Sequence, residues 1–179
     1  MTRLQNNQIW KDDANRYATG DDFCGVFSEE LDSLYQLSFL AIGDHDKAER
    51  CLLAGLEDCC RANHIFWEWA LSWAKCTIIR YAIRELRPCP HRDGSSWAEL
   101  DLRYSGKLPD FRCGYFKAEA VLALEDFERF VFVISVLEGY SDHDCAVLLG
   151  CSPFEVREAR TQASLHIVGH GAFVSCQPC

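Results

Sequence analysis

The chain has no long apolar run. Its opening, MTRLQNNQIWKDDANRYATGDDF, contains no hydrophobic segment, so no export signal is expected. The longest apolar stretches elsewhere fall far short of the roughly 20 residues that cross a bilayer. A cytoplasmic location with no membrane contact is therefore expected. Strand-like alternation of useful length is missing, as are internal repeats and low-complexity tracts, which leaves an all-α fold. Basic residues are outnumbered, with 18 Lys and Arg against 27 Asp and Glu and a formal net charge of -9, which argues against a non-specific nucleic-acid binder. No nucleophile–base pairing, Gly-rich phosphate loop or carboxylate dyad stands out, and His45, His64, His91 and His143 look isolated. No enzyme is expected, and no cofactor.

Cysteine, by contrast, is abundant. The 11 cysteines include Cys51, Cys59, Cys60, Cys76 and Cys145, all set within apolar helical patterns. Without an export signal they read chiefly as reduced, buried small hydrophobes, and a disulfide framework is the lesser reading. At 49% hydrophobic residues over 179 positions, the chain can bury the cores of one domain or two small ones.

Residues 1–20 form a polar, loosely held arm. From Asp21, apolar positions Phe27, Leu31, Leu34, Leu37 and Leu40 keep to one helical face until Gly43 and Asp44 stop it. A second helix is expected from about Asp46 to Ala62, with Ala48, Cys51, Leu52, Gly55, Leu56 and Cys59 inward. A third, from about Ile65 to Leu86, is rich in aromatics and ends at Arg87-Pro88. Residues 21–86 thus make one helical domain. Residues 87–118, punctuated by Pro88, Pro90, Gly94, Gly106, Pro109 and Gly114, read as a linker with six basic residues against four acidic. Residues 119–179 make a second helical domain with a tail, opening on a helix through Val121, Phe127, Phe130, Ile134 and Leu137.

The most structured punctuation lies in Ser141–His166. Ser141 caps a helix, with Asp144 three residues on to complete a capping box. Ala146, Val147, Leu148 and Leu149 supply its apolar side, and Gly150 provides the left-handed residue that ends it. After Cys151, Ser152 caps a second helix, Pro153 takes the first helical position and Glu155 closes another capping box. Val156 then points back at the first helix. A small residue at Ala146, glycine at the corner and a branched residue at Val156 predict a helix-turn-helix, against the plainer alternative of a generic helical hairpin.

In this order and spacing the chain resembles RNA polymerase sigma factors of the extracytoplasmic-function type. Leu124 to Leu137, Glu138-Gly139-Tyr140-Ser141 and Ala146 to Val156 resemble the family's fourth conserved region, a helix-turn-helix that holds the promoter −35 element. Leu34-Tyr35, Gly43-Asp44 and Ala48-Glu49 resemble the start of the second region, and Phe66, Trp69 and Ala74-Lys75 its aromatic helix, which melts and holds the −10 strand. The resemblance implies two helical domains and, as partners, core RNA polymerase, promoter DNA and an anti-sigma-type regulator. It implies DNA contacts from Ser152, Phe154, Arg157, Glu158 and Arg160, and from Trp67, Lys75 and Arg80. It implies a polymerase contact at Arg50, Leu53 and Ala54, which stand where the family has an acidic residue and a Gln-Glu pair. Arg80 stands for a family Asp, and Cys76 for a family Asn.

Charge qualifies that reading. From Glu119 onward three basic residues, Arg129, Arg157 and Arg160, face nine acidic ones. Weak duplex binding by the chain alone is expected, since phosphate neutralisation supplies most DNA affinity. A divergent sigma mimic that binds a regulator without DNA is the alternative. Trp69 and Trp73, four apart and aligned with Phe66, read as core, while Trp67 lies off that face toward a partner. His166, His170, Cys176 and Cys179 have a zinc-like ligand spacing, as more weakly do Cys89, His91 and Cys113. The glycines at 169 and 171 weaken the first set, and no bound metal is expected.

Overall fold

The computed structural model describes residues 16–62, 64–90, 115–116, 118–169 and 173–174. Among these residues the fold is all-α apart from one antiparallel pairing of two-residue strands, and the chain divides into two compact units between Arg87 and Pro88. No helix among the described residues is long and apolar enough to cross a membrane.

The described residues of the first unit hold four α-helices: α1 (Gly20–Glu29), α2 (Leu31–Ile42), α3 (His45–Arg61) and α4 (Ala70–Leu86). The single helix expected from Asp21 to Gly43 is in fact two. The chain turns at Glu30 (φ −106°, ψ 17°), which aims α1 at α3 while α2 packs on α3 and α4. Gly43 then ends α2 in the left-handed conformation (φ 77°), and the Asp44 carboxylate caps α3 by accepting the Lys47 N–H at 2.9 Å. The buried Ser38 hydroxyl donates to the Ala48 carbonyl at 2.9 Å, so its burial between α2 and α3 leaves no orphaned polar atom. Phe23, Leu34, Leu52, Cys59, Ala74 and Ile78 meet in the core. Gly55 is where α3 presses closely on α4, since a Cβ there would lie 2.9 Å from Ile78 Cγ1.

Two expectations fail at the start of α4. The aromatic helix does not begin at Ile65: Trp67–Trp69 form a 3-10 turn and the α-helix starts at Ala70. The cause is the preceding strap. The Ala18 N–H donates to the Ile65 carbonyl at 2.7 Å and the Trp67 N–H to the Arg16 carbonyl at 2.9 Å, which holds Phe66 extended (φ −64°, ψ 141°). Residues 16–20 are consequently not a loose arm. Thr19 caps α1 in a complete capping box with Asp22, and Arg16 forks onto the same carboxylate at 2.9 and 3.0 Å.

The second unit holds β1 (Tyr115–Phe116), α5 (Ala118–Leu122), α6 (Asp126–Phe132), α7 (Asp142–Leu149), α8 (Pro153–Gly169) and β2 (Phe173–Val174), with Tyr115 opposite Val174. The strand pair departs from the expected irregular linker and tail. The continuous helix expected up to Leu137 breaks at residues 123–125. Buried Arg129 reaches back there, donating to the Leu124 carbonyl at 3.1 Å and to Asp126 at 2.6 Å. Beyond Phe132 the helix widens into a π-helical turn, Val133–Leu137, with the Glu138 N–H donating to the Val133 carbonyl. Phe130, Ile134, Val156, Ala163 and Ile167 fill the core beneath α6 and α8.

Candidate nucleic-acid interface

Local capping builds the α7–α8 corner. Ser141 Oγ accepts the Asp144 N–H at 3.1 Å and donates to the Asp144 carboxylate at 2.6 Å. Gly150 ends α7 at φ 67°, and the Cys151 N–H donates to the Ala146 carbonyl. The second box is complete: Ser152 N–H and hydroxyl both donate to Glu155 Oε2 at 2.7 Å, and the Glu155 N–H donates back to Ser152 Oγ. Ala146 and Val156 are buried where the helices meet, and so is Cys145. Burial and the Asp142 carboxylate together push the Cys145 thiol up to about 12, so it stays neutral.

The side chains on this corner are arranged differently from expectation. Arg160 is half-buried and clasps Asp142, the first residue of α7, through both terminal nitrogens; Nη2 lies 3.3 Å from Oδ2. Arg157 is exposed, with its Nε 3.9 Å from the same carboxylate. One acid thus partners both arginines of α8. Ser152 is exposed as the cap, and Phe154 is 65% exposed. Val147, expected on the apolar side of α7, is 69% exposed. Glu158 is half-buried in a cleft of about 200 Å³ lined also by Pro90, Glu125, Phe127, Glu128, Glu155 and Ala159. Like charges crowd this side of α8, which repels phosphate.

In the first unit the tryptophans exchange the places expected of them. Trp67 is half-buried against the core with the Arg16 guanidinium 5.2 Å above its ring, a cation–π contact. Trp69 is 58% exposed and meets Phe66 in a T-shaped contact at 5.8 Å, while Tyr17 stacks on Phe66 at 4.8 Å. Helical spacing cannot place 66–69, because these residues lie before the α-helix. Trp73 is half-buried and packs against the core, as Trp67 does. On α4, Lys75 is half-buried and Arg80 exposed. On α3, Leu53 is 57% exposed, Ala54 half-buried, and Arg50 pairs with Glu85 at 3.2 Å. The Asp142–Arg160 clasp and the exposure of Trp69 had no local sequence signal.

No protein-family model matches the chain, and no curated protein matches it either. Among the described residues no group of three or more His, Cys, Asp or Glu side chains converges as a metal site. His166 lies on α8. Its expected companions His170, Cys176 and Cys179, and the pair His91 and Cys113, lie outside the described residues, while Cys89 is exposed.

Proposed function

We propose that the chain is a sigma-factor-like transcription initiation protein that associates with core RNA polymerase and recognises promoter DNA, which it binds weakly alone. The α7–α8 corner carries the reading. A left-handed glycine, a complete capping box, a small buried Ala146 and a buried Val156 form a helix-turn-helix with α8 as its recognition helix. Exposed Trp69, just before α4, and exposed Tyr17, stacked on Phe66 beside it, support a base-stacking role there, with Trp69 replacing Trp67 as the stacking residue. The cap Ser152 with Phe154 and Arg157 on α8 are the accessible contacts there, exposed Arg80 with half-buried Lys75 those on α4, and Arg50, Leu53 and Ala54 the polymerase-facing set on α3. Arg160 is a positioning residue, since its guanidinium is engaged by Asp142. The test is titration of fluorescently labelled chain with purified core polymerase. Saturable binding that weakens in Leu53→Asp is expected; no binding refutes the proposal.

A second reading draws on a different observation. The outward face of α7–α8 offers apolar Phe154 and Val147 while both arginines lean on Asp142. That surface suits another protein better than phosphate, as in a sigma mimic that engages an anti-sigma-type regulator. Phe154→Ala separates the two readings: it abolishes regulator binding in the mimic and leaves polymerase binding intact in the initiation factor.

A further inference from the structure

We propose that Cys24 and Cys60 form a reversible intramolecular disulfide, a modification site for peroxide-class oxidants that clamps α1 to the end of α3. The two sulfurs lie 3.9 Å apart, one on each helix. The helices approach closely here: a Cβ on Gly20 would meet the Cys60 carbonyl oxygen at 3.4 Å and its Cβ at 3.8 Å. The Cys60 thiol also donates to the Gly20 carbonyl at 3.6 Å, which keeps it turned toward α1. Side-chain rotation must bring the sulfurs to bonding distance, about 2.05 Å, and the thiols already face each other across the helix contact. The adjacent Cys59 is fully buried in the core and its thiol is pushed up to about 11, chiefly by burial, so it does not compete.

Exposure orders the chemistry. Cys24 is exposed and meets the oxidant first, while Cys60 is half-buried, and burial and the hydrogen bond to Cys24 raise its thiol pKa. The Cys24 thiolate attacks one oxygen of hydrogen peroxide. The O–O bond breaks, Cys24 becomes a sulfenic acid and the departing hydroxide takes up the thiol proton as water. The Cys60 sulfur then attacks Cys24 Sγ, forming the S–S bond and expelling the sulfenic oxygen as a second water with the Cys60 proton. Two thiols lose two electrons, and one peroxide gains them. The bond ties down the helix whose N-terminus holds the Thr19–Asp22 box and Arg16, and hence the strap over Trp67.

The test uses the full reduced chain treated with a small excess of hydrogen peroxide and mapped by non-reducing peptide mass spectrometry. A Cys24–Cys60 linked peptide, two hydrogens lighter than the pair and opened by dithiothreitol, is expected. The thermal midpoint should rise by about 5 °C on oxidation. Cys24→Ser and Cys60→Ser, both conservative, should each lose the link and that rise. Free thiols at both positions after treatment, over-oxidised Cys24 without a link, or links mainly to other cysteines would overturn the proposal.

Discussion

Asp142 is the residue on which the second unit turns. It sits at the first position of α7, where the helix dipole favours an acid, and it receives Arg160 and, more loosely, Arg157 from α8. Because the Asp142 and Arg160 side chains are 25% and 31% exposed, solvent screens the pair, and its worth is about 0.5–1 kcal/mol. A double-mutant cycle of Asp142→Asn and Arg160→Gln in urea should return a coupling of that size; zero coupling would make the clasp incidental. Asp22 offers a second test. Burial raises its pKa, but the Thr19 N–H, Arg16 and the Thr19 hydroxyl outweigh that and hold the carboxyl below its ordinary value. A depressed native pKa adds stability above the unfolded value of about 3.9, and that stability is lost as pH falls through the lower native pKa. Asp22→Asn should therefore flatten the acid limb of the stability–pH curve and leave the alkaline limb unchanged. The caps Ser141 and Ser152 were legible in the sequence because each acts within three residues, whereas Asp44 read only as a stop to the preceding helix. The Asp142–Arg160 clasp was not legible, since it spans two helices and follows from their crossing.

Helix boundaries show the same division. The limits of α3, α4's end at Arg87 and the Gly150 corner follow from local residue chemistry, and the inward face of α3 follows its apolar spacing. The turn at Glu30 and the 3-10 start at Trp67–Trp69 do not, because packing on α3 and α4 and the 16–18 strap, both distant in sequence, accompany them, while the break before α6 rests on a local contact, the buried Arg129 side chain turned back to the Leu124 carbonyl, that apolar spacing does not register. The 3-10 start takes Trp69 off the helical face its spacing suggested and leaves it outside, so that part of the candidate interface was hidden in packing rather than in pattern. Two glycine substitutions test the packing directly. Gly25 lies within α1, and a methyl group added there would meet nothing within 4 Å, so Gly25→Ala should stabilise by about 0.5–1 kcal/mol. Gly55→Ala gains the same propensity, yet its methyl must displace Ile78, and overpacking of about 1–3 kcal/mol should make it net destabilising. Urea midpoints for the two variants should move in opposite directions.

For the whole chain, charge decides more than shape. A net charge of -9, an acid-lined cleft beside α8 and two arginines leaning on one aspartate leave α8 few cations to displace counterions from a duplex. Free protein should bind labelled duplex DNA weakly with a shallow salt dependence. Glu158→Lys should tighten that binding and Arg157→Ala should weaken it further, both read by anisotropy at two salt concentrations. Polymerase would then supply the missing affinity by holding both units near one promoter, an effective-concentration gain. The most direct measurement is transcription of the source genome's DNA fragments by purified core polymerase, with start sites mapped by sequencing in the presence and absence of the protein. A discrete set of new start sites that appears only with the protein, and disappears with Arg157→Ala and Trp69→Ala, is the predicted result. Polymerase activity unchanged by the protein, with no new start sites, would contradict the account.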